Sequence, residues 1–235
     1  MPSGMCERYQ SLSTGIARAL GARNAWLLER SFVDACADVL SLCSAKVVLT
    51  EPLGGCPVKC QDIRSLGEDA RAQGTALVIN GSAVGVQACA AVRLGAHVEL
   101  LEADNACVAA VSRDVERALP GISAFLDGCK KADEPTCLQI EALLAERDAV
   151  WRATSDAAQV VASYLRCHPR VRQVAYPGLK GDASFSVAAR TLQNGFGPLV
   201  SWLDMADGRW RQIACTTEDA REQVVRLESE LAAMG

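Results

Sequence analysis

Residues 75–79 (TALVI) form an apolar run without a single charge, bounded by Gly74 on one side and Asn80-Gly81 on the other. A strand that shows no polar alternation has to be covered on both faces, as parallel strands are when helices layer both sides of their sheet. The neighbouring segments agree. Residues 45–50 (AKVVLT) make a β-branched run closed by the turn-rich Glu51-Pro52-Leu53-Gly54-Gly55. From Asp62 onward, Ile63, Leu66 and Ala70 recur at helical spacing until Gly74. After a turn at 81–85 (GSAVG), residues 86–94 read as a helix stopped by Gly95, and 96–101 as a third short strand. This order predicts an α/β fold with a mostly parallel sheet.

The second half reads differently. Beyond a loop around Pro135, Ile140, Leu144, Trp151, Ala158 and Leu165 fall on one helical stripe that His168-Pro169 terminates. Strands are expected at 171–176, closed by Pro177-Gly178, and at 199–203, after Gly195-Phe196-Gly197. Thr216 with Asp219 resembles a capping box ahead of a last helix carrying Val224, Leu227 and Leu231. The expected division is a large domain over 1–137 and a smaller α/β domain over 138–235, without internal repeats.

Composition narrows the function classes. With 50% hydrophobic and 22% charged residues over 235, the chain has the balance of a globular protein rather than a disordered one. A net charge of −4 implies no basic surface for nucleic acid or anionic lipid, and 5% aromatic residues do not suggest a base-stacking platform. The uncharged stretch 72–92 includes Gln73, Asn80, Ser82 and Gln87, which suit a strand, a turn and a helix better than a membrane span. The first residues show no basic region followed by an apolar one, so no secretory signal is read and a cytoplasmic location is expected. Eleven cysteines without a C-x-x-C pair, and only His97 and His168, favour small buried thiols over a metal site.

Three pieces of the sequence resemble the pyridoxal phosphate (PLP) enzymes of cysteine and methionine metabolism, the cystathionine γ-lyase and γ-synthase type. Glu51, Lys59, Asp62, Ile63, Ala70 and Gly74 match the spacing of the family's Glu-x-Pro-x-Asn-Pro loop and following helix. Leu94-Gly95-Ala96 matches the step between its two cofactor-contacting strand ends. His168-Pro169, Val171, Val174, Tyr176-Pro177-Gly178-Leu179, Gly195-Phe196-Gly197 and Ser201 match its C-terminal part. The match is ungapped over 51–105 and extends over most of 44–202. It implies an aspartate-aminotransferase-like large domain with a small C-terminal domain. The large domain is truncated, because family members are longer. The segments expected to carry the ring-stacking aromatic and the carboxylate-binding arginine have no match here, nor has the N-terminal Tyr-x-Arg arm.

The resemblance also assigns the family's chemistry to positions that lack it. PLP is held as an imine by a lysine amine, and the family's Ser-x-Thr-Lys places that lysine on Asn105. The aspartate partner of the pyridinium nitrogen falls on Asn80, and the asparagine beside the ring hydroxyl on Gly55. The phosphate-binding Ser and Thr fall on Glu102 and Asp104, and the Ser-Ser-Gly-Met phosphate loop on Glu29-Arg30-Ser31-Phe32. Two carboxylates would repel a phosphate. Arg30 reads as a solvated surface residue. No lysine lies between Lys59 and Lys130.

The expected function is therefore a pseudoenzyme: no intact catalytic or cofactor-binding position, no PLP, and a role as a binding or accessory subunit. It would form a homo- or hetero-oligomer, with an active PLP-enzyme paralogue as one candidate partner. One alternative is residual PLP-dependent carbon–sulfur lyase or transferase activity on cystathionine-like substrates. Another is a nucleotide-binding module built on the 81–85 turn, with Glu99 or Glu102 as the ribose-binding acid. Cys107 would be a reactive thiol only if exposed, Ser82 lacks the context of a hydrolase nucleophile, and His168 is expected to cap helix carbonyls.

Overall fold

A computed structural model describes residues 6–42 and 46–233. Met1–Pro52 with Asp62–Asp148 forms one compact unit, and Leu53–Gln61 with Ala149–Gly235 forms a second. Ala45, expected to open a strand, lies outside the described residues.

The first unit begins with α1 (Glu7–Leu20), which ends at Gly21 in the left-handed region. Strand β1 (Asn24–Leu28), helix α2 (Phe32–Ser41) and strand β2 (Val47–Thr50) follow. The chain then makes the small antiparallel pair β3 (Leu53–Gly54) and β4 (Lys59–Cys60), which belongs to the second unit. It returns through α3 (Ile63–Gln73), β5 (Ala76–Asn80), α4 (Ala91–Leu94), β6 (Val98–Ala103) and β7 (Ala106–Val111). The short helices α5 (Val115–Ala118) and α6 (Ile122–Gly128) precede α7 (Glu134–Cys167), a helix of 34 residues. Pro135 stands inside the first turn of α7 rather than in a loop before it. It is tolerated there because its missing N–H would have had no helical partner.

The sheet has the order β1-β7-β6-β5-β2. Strands β2, β5 and β6 run parallel, and β7 is antiparallel to both β6 and β1. Four strands therefore point one way. Alternation along β1 shows how both faces are covered: Ala25 and Leu27 pack with Ile16 and Leu20 of α1 and Ile140 of α7. Trp26 and Leu28 pack on the opposite face with Val39 of α2 and Ile122 and Leu126 of α6. This double cover is why β5 has apolar residues at successive positions. Residues 86–94 do not form the expected helix; only 91–94 are helical. Two turns at 82–84 and 86–88 come first, with Gly85 at φ 83 between them.

In the second unit, β8 (Val171–Ala175), α8 (Phe185–Thr191), β9 (Leu199–Asp204), β10 (Trp210–Ala214) and α9 (Ala220–Ala233) follow the end of α7. The antiparallel sheet β10-β9-β8 packs on α7 and α9 through Val161, Leu165, Val200, Trp202 and Leu227. Tyr176 is fully buried, and its O–H lies 3.1 Å from the Ser155 carbonyl and 3.3 Å from that of Gly197. The Tyr-Pro-Gly and Gly-Phe-Gly pieces of the sequence thus meet as packing. The cap of α9 is Asp219, which accepts from the N–H of Arg221 at 2.8 Å, while Thr216 accepts from Glu218 in the turn before it.

Candidate functional site

Because β1, β2, β5 and β6 are parallel, the segments leaving them emerge at one edge of the sheet, where such folds collect their ligand-binding groups. That edge gathers Glu29 and Ser31 beyond β1, Glu51 beyond β2, Asn80 at the end of β5, and Glu102, Asp104 and Asn105 at the end of β6. Residues separated by over seventy positions in the chain are brought together by topology alone. Gly55 is in the second unit, in the turn joining β3 to β4, where its carbonyl accepts from Gln212 Nε2 at 2.7 Å.

Several polar groups of this edge are engaged with one another. Asn80 Nδ2 donates to Glu51 Oε1 at 2.9 Å, and its Oδ1 accepts from the N–H of Ser82 at 3.1 Å. Ser82 Oγ in turn accepts from the N–H of Glu102 at 2.9 Å. Arg147 donates to the Glu102 carbonyl, and the neighbouring Asp148 accepts from the N–H of Gln87 at 3.1 Å. Asp104 and Asn105 form the two-residue turn of a tight hairpin whose flanking residues Ala103 and Ala106 pair, with Asp104 at φ 55. Both are exposed.

At the end of β1, Ser31 caps α2 by accepting from the N–H of Asp34 at 3.1 Å, while its own hydroxyl donates to the Asp34 carboxylate at 2.7 Å. Phe32 packs partly buried beneath it. Arg30 is not a free surface cation; it is ion-paired with Asp38 on α2. Lys130 lies 2.8 Å from Glu29, and Lys131 donates to the carbonyls of Leu126, Asp127 and Cys129. In this unit the described lysines are these two and Lys46, which precedes β2 at the opposite edge.

Other candidates resolve plainly. Cys107 is fully buried on β7, and burial pushes its thiol up to about 12, so it is inert. Glu99 is fully buried on β6, held up to about 8 by loss of water, with the N–H of Val92 3.4 Å from one oxygen. It cannot reach a ribose, whereas Glu102, the other candidate acid, is exposed at the end of β6; the 81–85 turn opens no helix. His168 caps no carbonyl through its ring: Nδ1 accepts from the N–H of Arg170 at 3.3 Å and Nε2 lies 3.1 Å from Glu228. Among the described residues, no group of three metal-ligating side chains is assembled and no helix is long and apolar enough to cross a membrane. Sequence reasoning missed Arg147 and Asp148; both sit on an ordinary polar face of α7, and nothing in their spacing marks them.

No protein-family model matches the chain. A mimosinase, chloroplastic, of Mimosa pudica is 24% identical over 166 residues, which are 67% of this chain and 37% of that protein. The chain thus spans little more than a third of that relative's length. A methionine γ-lyase of Micromonospora echinospora superposes with a TM-score of 0.74 at 16% identity, over 97% of this chain and 86% of that one. A cystathionine γ-synthase of Xanthomonas oryzae gives 0.72 at 17% identity over the same shares. An O-acetylhomoserine (thiol)-lyase of Campylobacter jejuni, whose structure contains a pyridoxyl-lysine monophosphate, gives 0.75 at 12% identity, over 95% and 85%. The fold is that of the PLP-dependent sulfur amino acid enzymes.

The positions that the sequence resemblance assigns to PLP carry the following chemistry. At Asn105, assigned to the family's lysine, the amide nitrogen's lone pair is delocalised into the carbonyl and forms no imine. At Asn80 the side chain is held by Glu51 and carries no charge to keep a pyridinium nitrogen protonated. The N-terminus of α2 is already capped by Ser31 and faced by the Asp34 carboxylate, and Glu102 and Asp104 add two more carboxylates on this edge. A phosphate carrying nearly two negative charges would be repelled there.

Proposed function

We propose that the chain is a non-catalytic relative of the PLP-dependent transsulfuration enzymes, acting as a binding or accessory subunit in the cytoplasm. The observation that supports this best is the Asp104-Asn105 hairpin turn, which the sequence resemblance aligns with the family's lysine. Around it, Asn80, Ser82, Glu102 and Arg147 satisfy one another, so the edge is built to be stable without a ligand. What the chain keeps is packing: Tyr176 against Ser155 and Gly197, and the long helix α7. A full-length PLP enzyme of the same family is the candidate partner in this reading.

The test is to supply cystathionine and PLP to the purified chain and measure release of a 2-oxo acid. No release is expected. Turnover above the buffer control that disappears on removing PLP would overturn the proposal. Co-expression with the cell's own cystathionine-processing enzyme, followed by size-exclusion chromatography, tests the subunit role: co-elution supports it, and separate elution at micromolar concentrations contradicts it.

A further inference from the structure

A groove of about 880 Å³ runs along the first unit between α1 and the start of α7. Leu12, Ile16, Val86 and Leu144 give it an apolar floor. Gly15 also lines it, in the middle of α1. A glycine within a helix weakens that helix relative to alanine. Here a Cβ would meet nothing within 4 Å, so no atom of the described chain accounts for its absence. Ser11 and Ala19, one turn to either side, line the same wall. The wall is therefore low enough for another backbone to approach closely.

The rim is acidic. Glu7, Glu134, Glu141 and Asp148 face a single guanidinium, that of Arg8, which lies 3.0 Å from Glu141 and 3.9 Å from Glu134. An excess of carboxylate around an apolar floor complements a helix with an apolar stripe and basic flanks. A second copy of this chain, presenting the same face across a two-fold axis, would set two acidic rims against each other. We propose that this groove docks an amphipathic, basic helix of a partner protein, packed against the Ser11-Gly15-Ala19 wall of α1. The proposal rests on the reading of the chain as a binding subunit and names the surface that reading requires.

Three synthetic sixteen-residue peptides test it by fluorescence anisotropy with the full chain: a Leu/Lys amphipathic helix, its Leu/Glu counterpart, and a Leu/Lys scramble without a stripe. Saturable one-to-one binding of the first is expected, at least tenfold tighter than either other peptide and weaker as salt is added. Gly15→Phe fills the groove with helix-compatible bulk and should cost tenfold or more. Ser11→Phe, at an exposed position, serves the same end if Gly15→Phe perturbs the melting curve. Glu134→Gln should weaken binding severalfold. Equal binding of the scramble, or unchanged affinity in both phenylalanine variants, would overturn the proposal. So would a concentration-dependent dimer of the chain alone that Gly15→Phe abolishes. Cofactor binding is read separately, so an imine with PLP would sink the non-catalytic reading while leaving the peptide titration interpretable.

Discussion

The amide at Asn105, the position that the resemblance assigns to the family's lysine, has a consequence that substitution cannot simply reverse. Asn105 sits at the water-facing tip of a hairpin, next to the exposed Asp104, so a lysine placed there would be solvated and beside a carboxylate. Its amine would stay protonated and poorly nucleophilic. Asn105→Lys is therefore expected to give no absorbance of a bound imine on adding PLP; a band that survives gel filtration would contradict this. Glu99 tests electrostatics at the same scale. Burial raises its acid from 4.5 to about 8, so between those values the folded protein keeps a proton that the unfolded chain has released. Stability is greatest below that window and falls as pH rises through it, by roughly 1.4 kcal/mol per unit at most. Glu99→Gln keeps the shape and removes the titration. Urea unfolding across the window should show a flatter pH dependence for the variant, and an unchanged slope would rule out the assigned cause.

Among the elements, α3 and its contact with the end of α4 show a glycine whose role is closeness. A Cβ on Gly67 would sit 2.6 Å from the Gly95 carbonyl oxygen, and Arg71 binds that same carbonyl at 2.8 Å. Alanine is the better helix former by about 1 kcal/mol. Overpacking against backbone costs about 1–3 kcal/mol and should win. Gly67→Ala is thus expected to lower the urea midpoint, and a gain in stability would show that α3 is free to shift. The element scale is also where the sequence was only partly legible. Strand β5 was visible because an unbroken apolar run admits few other readings, and α3 because Asp62 and Gly74 cap it at both ends. Strand β7 was not seen, since ACVAAV after Asp-Asn carries small residues with little strand preference and draws its place from pairing on both sides. Residues 86–90 have helical composition, yet Gly85 and the Asp148 carboxylate on the N–H of Gln87 hold them in turns.

For the whole molecule, the sequence names a set of positions but not their state. The spacing around Glu51, Asn80 and Asn105 pointed to one family, and parallel strands carry those positions to one edge. What sequence could not reveal is that the edge satisfies itself, because Asn80 with Glu51, and Arg147 with the Glu102 carbonyl, are long-range bonds that no local pattern announces. The two lysines that also reach that edge, Lys130 and Lys131, are held by Glu29 and by helix carbonyls. On the proposed non-catalytic reading the chain should be as stable without the coenzyme as with it, and saturating PLP should leave its melting temperature unchanged; a rise of several degrees would contradict this. The most direct measurement is borohydride reduction of the purified protein after incubation with PLP, read by intact-mass and peptide mass spectrometry. The account predicts an unmodified chain apart from trace labelling spread over surface lysines. Stoichiometric pyridoxyl mass on one lysine, Lys130 or Lys131 above all, would contradict it.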